Sequence, residues 1–219
     1  MAELKRDQFY VAADAVVFTI LDKKLKILLI KRGIEPFKGE FALPGGFVHL
    51  DENLDEAARR ELEEETGVKG IFLRKMHSYE DVGRDPRGRI ISIPFLALID
   101  GENVKLHATT DAELAKWHPA SSLPELAFDH NKIINDGLEL LRFEINNTNI
   151  AFQIMPDEFT LSELQNAYEI ILDKKLDKRN FRKKIKELGI LKSRQGTKME
   201  GAHRPAKLYS FKSSKYEMI

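Results

Sequence analysis

The 219-residue chain contains no cysteine, which excludes disulfides and thiolate metal sites and leaves the redox compartment open. It has no apolar run approaching the roughly 20 residues of a membrane-crossing helix. Its start, Met1-Ala2-Glu3-Leu4-Lys5-Arg6, lacks the apolar stretch of a secretory signal. No membrane partner and a cytoplasmic location are therefore expected. Internal repeats and low-complexity tracts are missing too. Net charge is absent overall, since 35 Lys and Arg balance 35 Asp and Glu. That balance hides a split: residues 1–149 hold 20 basic against 26 acidic side chains, and residues 150–219 hold 15 against 9, giving −6 and +6. A basic segment joined to an acidic one calls for an anionic partner, nucleic acid first. With 42% hydrophobic residues the chain can bury a core large enough for one large or two modest domains.

What is present is concentrated between Leu43 and Val68. Glu61, Glu64 and Glu65 stand at i, i+3 and i+4 in a helical stretch, Leu54 to Thr66, so a helix projects their carboxylates from one face. Carboxylates crowded in this way repel, and a divalent cation relieves the repulsion; hard oxygen ligands select Mg²⁺ or Mn²⁺. The preceding Leu43-Pro44-Gly45-Gly46 permits a tight turn and can offer the Gly46 carbonyl to the same cation. Arg60 can orient its neighbour Glu61 or ion-pair with Glu52. A solvated acidic face is the bland alternative for three such acids alone. The full spacing, Gly46-x5-Glu52-x7-Arg60-Glu61-Leu62-x-Glu64-Glu65-x-Gly67-Val68, speaks against it.

This spacing matches the Nudix box at every defined position, and residues 8 to 143 resemble Nudix hydrolases. The resemblance implies an α/β/α sandwich with a mixed sheet, in which water attacks a phosphorus of a nucleoside diphosphate. It gives Glu52, Arg60, Glu61, Glu64 and Glu65 catalytic roles, with Gly46, Glu61, Glu64 and Glu65 as the Mg²⁺ or Mn²⁺ ligands. Glu113 is a candidate distal base or a solvated loop acid. Arg84, Arg87 and Arg89, in Arg84-Asp85-Pro86-Arg87-Gly88-Arg89, resemble a loop of Nudix proteins that act on ADP-ribose, although the same residues also encode an exposed hairpin tip. Arg32 follows an apolar strand, where the family often contacts ligand. Phe37 or Tyr10 can stack on a base or simply pack.

Strand-like runs at Tyr10 to Phe18, Lys26 to Ile30, Gly70 to His77 and Ile90 to Ile99 frame the helical stretch, a mixture expected of an α/β domain. Asp129 is read as the N-cap of a closing helix, with His130 in its first turn. The polar break Asn146-Asn147-Thr148-Asn149 places a boundary between domains 1–147 and 148–219. Beyond it, Thr160-Leu161-Ser162-Glu163 is a capping box opening one helix. Asn180 to Leu188 forms a second, apolar at 181, 185 and 188, basic elsewhere and stopped by Gly189. Ile190 to Arg194 and Lys207 to Phe211 read as two strands around a basic hairpin, which completes a winged helix-turn-helix. Lys178, Arg179, Arg182, Lys183 and Lys186 would meet DNA phosphates or base edges, with Arg204 and Lys207 reaching from the wing.

The whole arrangement resembles the Nudix-related transcriptional regulators of the NrtR type. The segments that carry this resemblance are Phe159-Thr160-Leu161-x-x-Leu164-Gln165-x-x-Tyr168-Glu169, Leu176 to Lys184 and Arg204-Pro205-Ala206-Lys207-Leu208-Tyr209. It implies a homodimer that binds a double-stranded DNA operator and ADP-ribose or a related nucleotide sugar, in the control of NAD metabolism. Many such regulators have eroded boxes whereas this one is whole, so Mg²⁺-dependent hydrolysis is expected to persist. The competing expectation is an ADP-ribose diphosphatase whose tail serves dimerisation or another partner.

Overall fold

The computed structural model describes residues 8–107, 112–199 and 205–218, excepting the side chains of 112 and 113. Two compact units emerge. The first comprises residues Met1–Phe18, Lys26–Ala97 and Val104–Gly137, and the second Thr19–Leu25, Leu98–Asn103 and Leu138–Ile219.

The first unit is organised around a mixed sheet. Strand β1 (Tyr10–Leu21) is buried along most of its length, with Ala13, Val16, Val17 and Phe18 fully enclosed, as a central strand covered on both faces must be. It pairs antiparallel with β4 (Gly45–Phe47) and parallel with β6 (Ile90–Ser92). Strand β2 (Lys24–Arg32) pairs antiparallel with β3 (Phe41–Ala42) and β8 (Ala112–Pro119). Strand β7 (Phe95–Leu98) lies between β1 and the two-residue β5 (Arg74–Lys75). The run expected as one strand from Ile90 to Ile99 is thus two, divided at Ile93-Pro94, because a proline has no N–H for the ladder. The expected strand from Gly70 to His77 shrinks to β5.

Helix α1 (Leu54–Thr66) spans the residues predicted for it. The Asn53 side chain accepts from the backbone N–H groups of Asp55 and Glu56, and the Glu56 carboxylate accepts from Asn53 N–H in return. Gly67, at φ 77°, ends the helix in the left-handed conformation that glycine adopts without steric cost. Ala57, Ala58 and Leu62 form the buried stripe, and Glu65 lies on the same buried side.

Helix α2 (His130–Asn147) follows, and its second half belongs to the second unit. There Arg142 Nε donates to the Ile171 carbonyl at 3.3 Å and Tyr216 OH donates to the Glu144 carboxylate. The polar break is consequently not a loose linker: the Asn149 side chain donates to the Lys215 carbonyl and accepts from Glu217 N–H, both at 2.8 Å. A 3₁₀ turn (Ile150–Gln153) leads to β9 (Phe159–Thr160), α3 (Leu161–Leu172), α4 (Lys178–Leu188), β10 (Leu191–Lys198) and β11 (Ala206–Phe211). The three strands make a small antiparallel sheet in the order β10-β11-β9. Thr160 and Glu163 form the predicted capping box. Phe159, Leu164, Tyr168, Ile171, Phe181 and Ile185 close the core of a winged helix. Tyr168 meets Phe181 edge-on at 5.1 Å, a geometry that aromatic quadrupoles favour.

Candidate functional sites

The first unit contains a cleft of about 370 Å³ with two chemically different walls. One wall is the face of α1 with the β4 turn, carrying Glu61, Glu64, Glu65, Arg60, Gly45 and Gly46. Glu65 Oε2 accepts from Gly45 N–H at 2.9 Å. A side chain on Gly46 would collide with the Glu61 carboxylate, and one on Gly45 with Asp14, so only glycines admit the acids this close to the backbone. Arg60 is the organiser of this wall. Its guanidinium grips Glu52 through Nε at 2.9 Å and a terminal nitrogen at 2.7 Å, reaches Glu61 at 2.8 Å and Glu64 at 3.3 Å, and donates to the Phe47 carbonyl at 3.1 Å. Both roles considered for Arg60 are therefore met by one side chain. Glu52 is not part of the cleft lining; it clamps Arg60.

Burial and charge crowding both show in the acids themselves. Burial pushes the Glu65 carboxyl up to about 8, with Glu61 and Asp14 adding repulsion. Glu61 is raised as well, by burial first. Glu52 moves down to about 2 because of its hydrogen bonds from Arg60. Among the described residues no three acids already converge in ligating positions, since Arg60 holds Glu61 and Glu64. The donor set nonetheless fits a hard divalent cation: three carboxylates and a glycine backbone crowd one wall, and positive charge there would relieve the two raised acids.

These shifts predict a pH dependence. Between about 4.5 and 8 the folded, cation-free protein holds a proton on Glu65 that the unfolded chain has released, so stability falls as pH rises through that window, and Glu61, also raised, acts in the same direction. Glu52 acts oppositely, with stability lost only as pH drops below about 4.5 toward 2. Thermal unfolding in chelator should show stability declining from pH 5 to 8.5, on the order of a few kcal/mol. Glu65→Gln or added Mg²⁺ should remove most of the decline, and a flat profile in the unsubstituted protein would show that these acids are not crowded.

The opposite wall is cationic and aromatic. Arg84, almost wholly buried, forks onto the Asp129 carboxylate; the residue expected to cap α2 thus directs its side chain to an arginine. Arg87 is held by Asp85 at 2.7 and 3.0 Å, and its guanidinium lies 4.8 Å from the Phe47 ring centre and 5.4 Å from that of Phe128. Arg32 also lies over Phe128, at 5.0 Å. Arg32, Arg84 and Arg87 therefore meet in the cleft as expected. Two other expected residues do not line it. Arg89 donates to the Glu80 carbonyl and lies over Phe9, and Phe37 packs edge-on against Phe128 beside Ile30, Ala42 and Ala127. Their side chains are engaged in loop and core packing instead. Tyr10 likewise packs on Phe47, with ring centres 5.7 Å apart. Glu113 is the second residue of β8, with its side chain outside the described residues.

Several lining residues carry no signature in the motif spacing: Asp14, Phe47, Asp85, Phe128 and His130. Asp14 offered a signal, a lone acid in an otherwise apolar central strand, where an unpaired charge is too costly to bury; Ser92 Oγ donates to it. His130, fully buried, accepts from Leu43 N–H on Nδ1 at 2.9 Å, which requires that nitrogen unprotonated, and burial lowers its basicity in agreement. Phe128 adopts φ 56°, a left-handed conformation that costs a bulky residue energy and turns its ring under the two arginines.

The second unit presents a separate, positively charged surface. Asp177 caps α4 by accepting from Asn180 N–H at 2.8 Å, and Gly189 ends it at φ 65°. Phe181 and Ile185 face the core, so Lys178, Arg179, Arg182, Lys183 and Lys186 are all turned to solvent. Among the described residues none of Lys178, Arg179, Arg182 and Lys186 has a carboxylate partner; Lys183 has Glu187 at 3.9 Å. Lys184 is the exception on this helix, bent inward to Asn146 at 2.6 Å. Lys207 is exposed on β11 over Tyr209, and Arg204 lies outside the described residues. Five exposed cations on one capped helix, followed by a basic hairpin, form the electrostatic footprint of a nucleic-acid reader.

Comparison with known proteins agrees with both halves of this geometry. Residues 11–137 match the NUDIX domain family and residues 151–211 the NrtR DNA-binding winged helix domain. The chain belongs to the Nudix family, in its NrtR branch. It is 36% identical over 208 residues to the ADPR responsive transcriptional repressor NtrR of Acinetobacter baylyi, covering 93% of this chain and 82% of that protein. It is 46% identical over 134 residues to an ADP-ribose pyrophosphatase of Methanocaldococcus jannaschii, covering 61% of this chain and 78% of that one. Shewanella oneidensis NrtR complexed with a 27mer DNA superposes with a TM-score of 0.79 at 31% identity, covering 92% of this chain and 93% of that one. The NUDIX domain of the same protein, solved with ADP ribose, gives 0.59 at 31% identity and covers 64% of this chain and 94% of that one. The expected architecture, a mixed-sheet Nudix fold followed by a winged helix, is thus confirmed for this NrtR-branch chain.

Proposed function

We propose that this NrtR-branch protein is a DNA-binding transcriptional regulator that senses ADP-ribose or a close nucleotide sugar through its Nudix cleft. The observation that carries the sensing half is the pairing of walls in one cleft, with acids of the box on one side and Arg32, Arg84, Arg87, Phe47 and Phe128 on the other. A dinucleotide-like diphosphate asks for both: cationic donors for its phosphate oxygens and π-faces for its base. Arg84, fixed by Asp129, and Arg87, fixed by Asp85, are preorganised to donate without losing side-chain freedom on binding. The A. baylyi relative's response to ADPR and the ADP ribose complex of the S. oneidensis domain support the same ligand.

The regulator reading assigns residues 1–147 to sensing and residues 148–219 to DNA, with α4 as the recognition helix. It places a two-fold dimer on a palindromic operator, because one winged helix contacts too few base pairs to be selective. The protein works in the cytoplasm, on genes of NAD metabolism. It also keeps hydrolytic capacity, since the box is whole. Glu61, Glu64, Glu65 and the Gly46 carbonyl would hold Mg²⁺ or Mn²⁺, which when bound would polarise a diphosphate and acidify water. Arg60 keeps Glu61 and Glu64 in place, Glu52 keeps Arg60 in place, and Glu65, its carboxyl pushed up to about 8 by burial, supplies an enclosed carboxylate able to take a proton. The M. jannaschii pyrophosphatase supports this second activity.

Binding of ADP-ribose by calorimetry tests the sensing half. Arg87→Ala removes a guanidinium lying beside two rings of the cleft and should weaken binding roughly tenfold or more, whereas Arg89→Ala, outside the cleft, should leave it within about twofold. Equal losses in the two variants would place the ligand elsewhere.

A further inference from the structure

The winged-helix unit contains a second cavity, about 360 Å³, between the segment 152–157 and the base of the wing. Its chemistry follows from strand register. Lys192 on β10 pairs directly with Ser210 on β11, so their side chains share a face, and Arg194 and Lys212 line the same cavity. Three cations thereby converge with a serine on one lining, with Asp157 as the one acid among its residues. Arg194 also meets Glu158 at 2.8 Å. Ser210 is only 7% exposed, and its buried Oγ has no hydrogen-bond partner among the described residues. A hydroxyl buried without a partner is a cost that native structures avoid or use. The apolar part of the lining is Phe152 and Phe211, their rings 6.4 Å apart and edge-on.

We infer that this cavity is a phosphate-binding pocket, in which Lys192, Arg194 and Lys212 neutralise an oxyanion and Ser210 Oγ donates to it. Lysines and arginine set the charge, and the enclosed hydroxyl sets the position, a division of labour common to phosphate sites. The phosphate can come from the DNA backbone or from a free phosphorylated small molecule, and both present the same oxygens. This pocket is built wholly from residues of the second unit and does not depend on what the Nudix cleft binds.

The probe is inorganic phosphate titrated into the full-length protein in chloride buffer without nucleotide, read by calorimetry. Ser210→Ala, which changes no charge, should weaken the phosphate response roughly tenfold, and Lys212→Gln should weaken it further. Unchanged phosphate binding in both variants would overturn the pocket, even if other sites on the protein take phosphate. The source is separated by a duplex titration. If the occupant is a DNA phosphate, Lys192→Gln and Lys212→Gln each reduce the slope of log affinity against log salt by about one; if it is a free molecule, that slope stays fixed while phosphate binding is lost.

Discussion

Arg182→Ala combined with Lys186→Ala is expected to lower affinity for the operator at least about a hundredfold, and to flatten its salt dependence by about one unit of slope for each DNA phosphate no longer neutralised. Both side chains are exposed on α4, away from Phe181 and Ile185, which hold the helix to its core. The substitutions therefore remove charge without opening a cavity, and alanine suits a helix interior better than either residue it replaces. Lys184→Ala is the informative contrast. Its ammonium donates to Asn146, so its loss should loosen packing while leaving the salt slope close to that of the parent. Fluorescence anisotropy on a duplex recovered by selection from random sequence, over a range of salt, reads both quantities. An unaltered slope in the double variant would move the DNA surface off α4.

The second large effect belongs to the box. Glu65→Gln keeps the hydrogen bond from Gly45 N–H through its amide oxygen but removes the charge at the most enclosed carboxyl of the box. Glu64→Gln removes a half-exposed acid from the same wall. Each should cut Mg²⁺-dependent conversion of ADP-ribose to AMP and ribose 5-phosphate by about a hundredfold or more, with circular dichroism unchanged. Arg60→Ala should cost comparably for a different reason, because it releases Glu52, Glu61 and Glu64 together. Full activity in both glutamine variants would remove the acids of α1 from the chemistry. Cleavage of some other nucleoside diphosphate, with ADP-ribose untouched, would keep the acids and change the substrate.

The parts of the molecule written locally were legible in the sequence. Helix α1 runs over the residues its periodicity and box predicted, and the Thr160–Glu163 capping box opens α3 where the spacing placed it. The basic helix and its Gly189 stop were equally readable, because capping, periodicity and surface charge act within a few residues of each other. The second wall of the cleft was not. Asp14, Asp85, Phe128 and His130 come from distant segments that only the folded sheet brings together, and no spacing rule joins them. Arg89 and Phe37 show the converse: the sequence placed them near the right loops, but a hydrogen bond to the Glu80 carbonyl and packing on Phe128 hold their side chains elsewhere. The polar tetrad 146–149 looked like a linker by composition, whereas its Asn149 hydrogen-bonds to Lys215 and Glu217. Composition reports solubility; it does not report partners.

In the proposed regulator one chain couples a nucleotide-sugar cleft to an operator-binding helix. A ligand can shift DNA binding only if it binds the DNA-competent and DNA-incompetent states with different affinity, and the coupling must then be reciprocal. The decisive measurement is an operator titration of full-length Glu64→Gln protein, so that ligand is not consumed, with and without saturating ADP-ribose. A change in operator affinity of roughly 5- to 150-fold, matched by an equal change in ADP-ribose affinity when operator is present, is the result expected. Operator affinity unmoved by saturating ADP-ribose and by related nucleotide sugars would contradict it, leaving a Nudix domain merely tethered to a DNA-binding one.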